Sequence, residues 1–241
     1  MNKKIKHIVL YTVKLFIVKK SLLIILCAVI VGGAIFGICA SAIATTSTHD
    51  GLRTVVIDAG HGGIDAGVLG ITTKTKESEI NLYIAKYLRG YFADAGFNAV
   101  LTRTTQGGLY GTTTKGFKMR DMKKRKEIIE KNNADMVISI HQNYCPIPSR
   151  RGGQAFYDAG SESGKALAQC IQQSLNEMKE CVKTNTPLVG DYYMLKCTSN
   201  PSVLIECGFL SNELDEKLLI SAEYQKAIAY AIFKGAVSFY A

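Results

Sequence analysis

Four histidines occur among the 241 residues, and only His61 and His141 fall in segments that read as a folded domain; His7 lies in a basic leader and His49 in a polar linker. His61 follows an apolar run in the stretch IDAGHGG, and His141 follows MVISI. Both therefore sit at the ends of expected strands, and open α/β sheets bind ligands beyond the carboxyl ends of their strands. Neutral imidazole is the commonest zinc ligand, and a catalytic zinc takes three protein ligands and leaves a position for water. A carboxylate would complete the set. Glu77 and Glu79 both stand at the start of the first expected helix, where the positive end of the helix favours negative charge. The residues alone leave that choice open, since nothing like H-E-x-x-H is present.

Glu206 closes the apolar run VLIE, so its carboxylate must be paired or face a site. Beside water acidified by a metal, such a glutamate can take a proton and later return it to a leaving amine. Alternation along the strand turns the adjacent Cys207 to the other face, which argues against a cysteine nucleophile there; Cys145, just past His141, stays open. Gly60, Gly62, Gly63 and Gly67 surround His61 and either let backbone approach closely or simply turn the chain. They are not a phosphate cradle, because no G-x-x-x-x-G-K-[ST] pattern occurs.

These side chains need a scaffold. Short runs rich in Val, Ile and Leu predict strands over 54–58, 98–102, 136–140, 153–157 and 202–206, with a weaker one over 192–195. Helical spacing predicts helices over 78–95, 119–132, 161–178 and 222–239. Continuous apolar strands imply burial on both faces and largely parallel pairing. The expected fold class is thus α/β: a three-layer, mostly parallel twisted sheet with helices on both faces, preceded by an N-terminal hydrophobic targeting helix.

That targeting helix is read from Lys3, Lys4, Lys6, Lys14, Lys19 and Lys20, which precede an uncharged apolar run over 21–44. Roughly 20 apolar residues cross a bilayer, whereas a cleaved signal has an apolar region of about 7 to 15, so length favours an anchor. Ala40, Ser41 and Ala42 nevertheless offer a cleavage site. The division is a basic cytoplasmic leader (1–20), a signal-anchor or signal-peptide helix (21–44), a linker (45–51) and a catalytic domain (52–241). The lysines hold the leader inside, so the domain works outside the membrane. Those six lysines also carry most of the formal charge of +9. The exported part is only mildly basic, and no nucleic-acid partner is expected. The cluster Lys118, Arg120, Lys123, Lys124, Arg125 and Lys126 reads mostly as a solvated helix face. Five exported cysteines, Cys145, Cys170, Cys181, Cys197 and Cys207, form no C-x-x-C pair, which argues against a disulfide framework or a cysteine zinc site.

Taken in order, VVIDAGHGG with Asp65, KESEINLYIAKYL, LTRT, ADMVISIHQN and VLIECGFLSN resemble the motifs of the zinc-dependent N-acetylmuramoyl-L-alanine amidases of the type called amidase 3. The resemblance spans nearly the whole exported domain. It implies Zn2+ held by His61, Glu77 and His141 and a catalytic role for Glu206, and it selects Glu77 over Glu79. Arg103, Arg125 and Asn143 match recurrent positions and are expected to be substrate-side or supporting. The implied reaction is hydrolysis of the amide between N-acetylmuramic acid and the L-alanine of the stem peptide in peptidoglycan. No wall-binding repeats or inhibitory helical insertion are evident. That layout is similar to the germination-specific amidases of spore formers, which help make muramic δ-lactam in the spore cortex. The implied setting is extracytoplasmic, anchored to the membrane or secreted, with a possible helper protein for localisation or activation. A zinc peptidase or carboxypeptidase acting on stem peptides, or a non-catalytic peptidoglycan-binding module, are the alternative readings.

Overall fold

The computed structural model describes residues 51–241; the expected leader and membrane segment, and the linker up to residue 50, lie outside the described residues. The first strand, β1 (Thr54–Ala59), is buried at every position, as the unbroken run TVVIDA requires of a strand covered on both faces. It pairs in parallel with β2 (Asn98–Leu101) on one side and β3 (Met136–Asn143) on the other. β6 (Ser202–Phe209) adds in parallel to β3. Next to it β4 (Gln154–Tyr157) runs antiparallel, and the two-residue β5 (Leu188–Val189) closes the edge in parallel with β4. The order is β2-β1-β3-β6-β4-β5, a mixed α/β sheet that is parallel except at the β4–β6 pair.

Alternation along the strands divides the core. Val55, Ile57 and Ala59 join a large buried cluster with side chains of α1 (Glu77–Asp94), α3 (Glu162–Asn176) and α5 (Ala222–Ser238). Val56 and Val137 join a smaller cluster with Ile129 of α2 (Phe117–Lys131) and Met194. In α1 the buried Ile80, Ile84 and Leu88 recur every four residues, and the helix gives way at Gly96, whose φ of 83° few other residues adopt. Ser161 and Ser221 cap α3 and α5 by accepting from the backbone N–H groups of Gly164 and Tyr224.

Three sequence expectations change. The segment expected as a strand over 192–195 is instead a 3-10 turn, Tyr193–Lys196, which buries the consecutive residues Met194 and Leu195; a strand would send neighbouring side chains to opposite faces. A further helix, α4 (Glu213–Leu219), follows β6. At seven residues it is too short to announce itself by periodicity. Finally, β3 and β6 each run three residues past their expected ends, so His141 lies inside a strand rather than after it and Glu206 lies mid-strand rather than at its end, the two as direct register partners.

Candidate active site

β1 ends at Ala59 and the chain turns at Gly60 into His61, which adopts a left-handed φ of 59°. That turn has no room for side chains. A Cβ at Gly60 would collide with the imidazole of His141, and one at Gly67 with the carboxylate of Glu77. Of the two readings of these glycines, close approach is the one that Gly60 and Gly67 realise.

His61, Glu77 and His141 come together from β1, α1 and β3. One donor atom from each can be chosen so that all lie within 4.8 Å of one another, a group that could hold a metal ion. Nε2 of His61 is 3.3 Å from Oε1 of Glu77, and Nδ1 of His141 is 2.9 Å from the same oxygen. Glu77 is only 2% exposed and heavily bonded. Its Oε1 also accepts from the backbone N–H of Gln142 at 3.1 Å and from Nδ2 of Asn81 at 3.2 Å, and its Oε2 accepts from the N–H of Val68 at 2.9 Å. Burial would raise the pKa of Glu77, but the hydrogen bonds and charges of the two histidines outweigh it and hold the carboxyl far below the usual range. Glu79, the other carboxylate at this helix start, is 40% exposed and faces Lys76 at 3.9 Å.

The other ring nitrogen of His61, Nδ1, lies 3.0 Å from Asp65, whose second oxygen is 3.4 Å from Lys118. A carboxylate on the far nitrogen fixes the orientation and tautomer of a ligating imidazole. Arg103 and Arg125, expected as substrate-side or supporting, both turn inward beneath the His61 loop. Arg103 donates to the carbonyls of Ala59 at 2.8 Å, Gly60 at 3.0 Å, Ser78 at 2.7 Å and Thr105 at 2.9 Å. Burial and the neighbouring Arg125 lower its pKa to about 10. Arg125 pairs with Asp58 and Asp121, each at 2.6 Å, and donates to the carbonyls of Ala59 at 2.7 Å and His61 at 2.6 Å. The basic cluster of α2 is therefore not simply a solvated face: Arg125 is in the core, and Arg120 donates to the carbonyls of Tyr110, Thr112, Thr114 and Lys115. Asn143 lines the cleft, its Oδ1 accepting from the N–H of Tyr144 at 2.7 Å.

Glu206 faces the same cleft from β6. It is 8% exposed, and its Oε2 is buried without a hydrogen-bond partner. Burial, reinforced by the nearby Glu77 and opposed by the two histidines, raises its pKa to about 7. Cys207 turns away into the core, where burial pushes its thiol well up, and none of the five cysteines among the described residues is paired. The cleft has a volume of about 450 Å³, and Tyr110, Phe117, Tyr192, Tyr193 and Met194 add apolar walls to its charged floor.

Sequence reasoning missed Asn81 and Gln142. Asn81 donates to both Gly60 and Glu77 and accepts from Nε2 of Gln142 at 3.0 Å. Its signal was a polar residue between Ile80 and Leu82, four positions after Glu77 and hence on the same side of the helix.

Residues 55–238 match the family described as N-acetylmuramoyl-L-alanine amidase. The chain is 31% identical over 191 residues to the germination-specific N-acetylmuramoyl-L-alanine amidase of Bacillus subtilis (strain 168), covering 78% of this chain and 80% of that one. It is 28% identical over 234 residues to the N-acetylmuramoyl-L-alanine amidase AmiA of Escherichia coli (strain K12), covering 79% and 77%. A solved structure of the CwlD amidase from Clostridioides difficile, in complex with the GerS lipoprotein, superposes with a TM-score of 0.75 at 40% identity, over 78% of this chain and 98% of that chain.

Proposed function

The chain belongs to the N-acetylmuramoyl-L-alanine amidase family, and on that premise we propose that residues 52–241 form a zinc-dependent domain that cuts peptidoglycan between N-acetylmuramic acid and L-alanine. The observation that carries this reading is the pairing of a His61, Glu77 and His141 cluster with an unpartnered Glu206 oxygen in one cleft. Two imidazoles and one carboxylate suit zinc better than magnesium or calcium, which prefer sets made entirely of oxygen. When bound, zinc supplies Lewis-acid polarisation of the amide carbonyl and acidifies water at neutral pH.

The protein's own residues supply the rest. Asp65 orients His61, Asn81 and the Gln142 backbone orient Glu77, and Arg103 and Arg125 fix the carbonyls of the turn that carries His61. Glu206 takes a proton from the attacking water on its free Oε2 and delivers it to the amide nitrogen as the carbon–nitrogen bond breaks, leaving a muramoyl carboxylate and an L-alanine amine. A pKa near 7 suits a group that must act as base and then as acid. A non-catalytic binding module would have no need of an unsatisfied, buried carboxylate beside a metal-binding cluster.

The biological setting follows the relatives by analogy. A germination-specific relative and a relative solved with a lipoprotein support action in the spore cortex, towards muramic δ-lactam, with a helper protein for localisation or activation. The leader over 1–20 and the apolar segment over 21–44 would carry the domain across the membrane, whether or not they are then cleaved. Incubating the full chain with purified cortex peptidoglycan, with and without zinc, and weighing the fragments tests the reaction. Intact stem peptides with a free L-alanine amino end are expected. Fragments that keep alanine on the sugar would assign the chain to stem-peptide hydrolysis instead.

A further inference from the structure

Glu77 is delivered by a small hairpin. The N–H of Glu77 donates to the carbonyl of Val68 at 2.9 Å while the N–H of Val68 donates back to the Glu77 carboxylate, also at 2.9 Å. Leu69 and Lys76 form the next bridge, and Gly70 donates to Thr75 at 3.0 Å, leaving a tip over 71–74. A tip of exposed threonines has no apolar reason to hold one place. It is held from outside. Glu216, on α4 and only 1% exposed, accepts from the N–H of Thr72 at 2.9 Å, the N–H of Thr73 at 2.7 Å and the hydroxyl of Thr73 at 2.6 Å. Ile71 adds a bond to the carbonyl of Leu210 at 3.2 Å, and a Cβ at Gly70 would collide with the Glu216 carboxylate.

The receiving side is itself tied down. α4 leaves β6 directly, and Asn212 caps it by accepting from Leu214 and Asp215. Asp215, beside Glu216, accepts from Arg151 at 2.9 Å, Gly152 at 2.8 Å and Phe209 at 3.1 Å. One short helix thus fastens the hairpin carrying Glu77 to the strand carrying Glu206.

We infer that Glu216 is a positioning residue for the metal site: by fixing the tip of the 68–77 hairpin it keeps the Glu77 carboxylate between the two histidines, and so sets metal affinity from outside the cleft. This rests on the reading of Glu77 as a ligand. Outer partners of metal ligands commonly govern affinity by roughly 10- to 100-fold, and a carboxylate that accepts three bonds cannot be replaced by an amide, whose N–H2 group would face donors.

The test is zinc affinity of the full chain, measured by competition with a chromogenic chelator, for the parent, Glu216→Gln, Thr73→Ala and the control Glu79→Gln. Glu216→Gln is expected to bind zinc about 10-fold or more weakly. Thr73→Ala, which removes only the hydroxyl donor, should weaken binding less, and Glu79→Gln should leave it unchanged. A folded Glu216→Gln chain with the parent's zinc affinity overturns the inference; if that variant does not fold, an unchanged affinity in Thr73→Ala overturns it. A parent chain that takes up no zinc, or a Glu77→Ala chain that binds it as tightly as the parent, sinks the ligand reading itself and is thereby told apart.

Discussion

Glu77 and Glu206 line one cleft, each beside His141, and their surroundings have little in common. Glu77 sits at the start of α1 among donors: Val68, Asn81, Gln142 and both imidazoles all reach it. Glu206 lies mid-strand in β6 with a buried oxygen that nothing reaches. The first carboxyl is pushed far down in pKa and the second is raised to about 7. Two carboxylates whose environments drive them apart in this way are suited to different tasks, one a fixed anion and the other a proton carrier. The same contrast runs through the walls behind them. The His61 side is braced by Arg103, Arg125 and Asp65, which bond to the turn, and by Asp58 through Arg125, whereas Tyr192, Tyr193 and Met194 add apolar surface to the cleft.

The largest effect should come from the rigid side. His141→Ala or Glu77→Ala is expected to abolish both zinc retention and turnover, read by metal content and by fragment release from peptidoglycan. Full zinc content in a folded Glu77→Ala chain would erase the difference between the two carboxylates. Glu206→Gln should instead keep zinc and lose turnover by about 10²- to 10⁴-fold, the usual worth of general acid–base catalysis. Activity within a few-fold of the parent would remove Glu206 from the mechanism.

Two smaller predictions probe the bracing. Arg125→Met leaves Asp58 buried without its cation, and breaking such a pair costs about 3–5 kcal/mol; chemical denaturation should show that loss, and a cost under about 1 kcal/mol would mean that the network is ornamental to stability. The pH dependence is smaller still. Burial alone would raise the pKa of Asp58, but Arg125, Ser139 and the charge of His141 bring it down to about 2 from 3.8. A group depressed in the folded state contributes stability that is present above the unfolded value near 3.8 and is lost as pH falls through about 2. The loss should be about 2 kcal/mol between pH 5 and pH 2. Unfolding curves for the parent and for Asp58→Asn should converge in slope against pH only if that carboxyl is not responsible.

Much of this was legible in the residues. Continuous apolar runs announced a mostly parallel sheet, since a strand buried on both faces has no polar side to display. His61 and His141 stood out by scarcity and by position at strand ends, and Glu206 by being the lone charge in an apolar run. The 3-10 turn at Tyr193–Lys196 was not legible, because the aromatic and apolar quartet over 192–195 fits a strand or a turn equally well until a partner strand is in place. α4 was too short to show a period, and with it went Glu216 and its hold on the hairpin.

What the sequence determined by itself is therefore the inventory: which imidazoles and carboxylates are available, and that the sheet brings strand ends distant in the chain to one rim. The motif resemblance narrowed the helix carboxylates to Glu77, but only the fold supplies the physical reason. Residues two apart on a helix point roughly 200° away from each other, so one of the pair had to face solvent, and the rotation of α1 on the sheet decided which. The fold also made Arg103 and Arg125, expected as substrate-side or supporting, buried braces of the His61 turn, with Arg125 still lining the cleft, and it surrounded Glu77 with donors while leaving Oε2 of Glu206 without one. Burial and partner geometry set those differences, and both are properties of packing between elements that lie far apart in the chain.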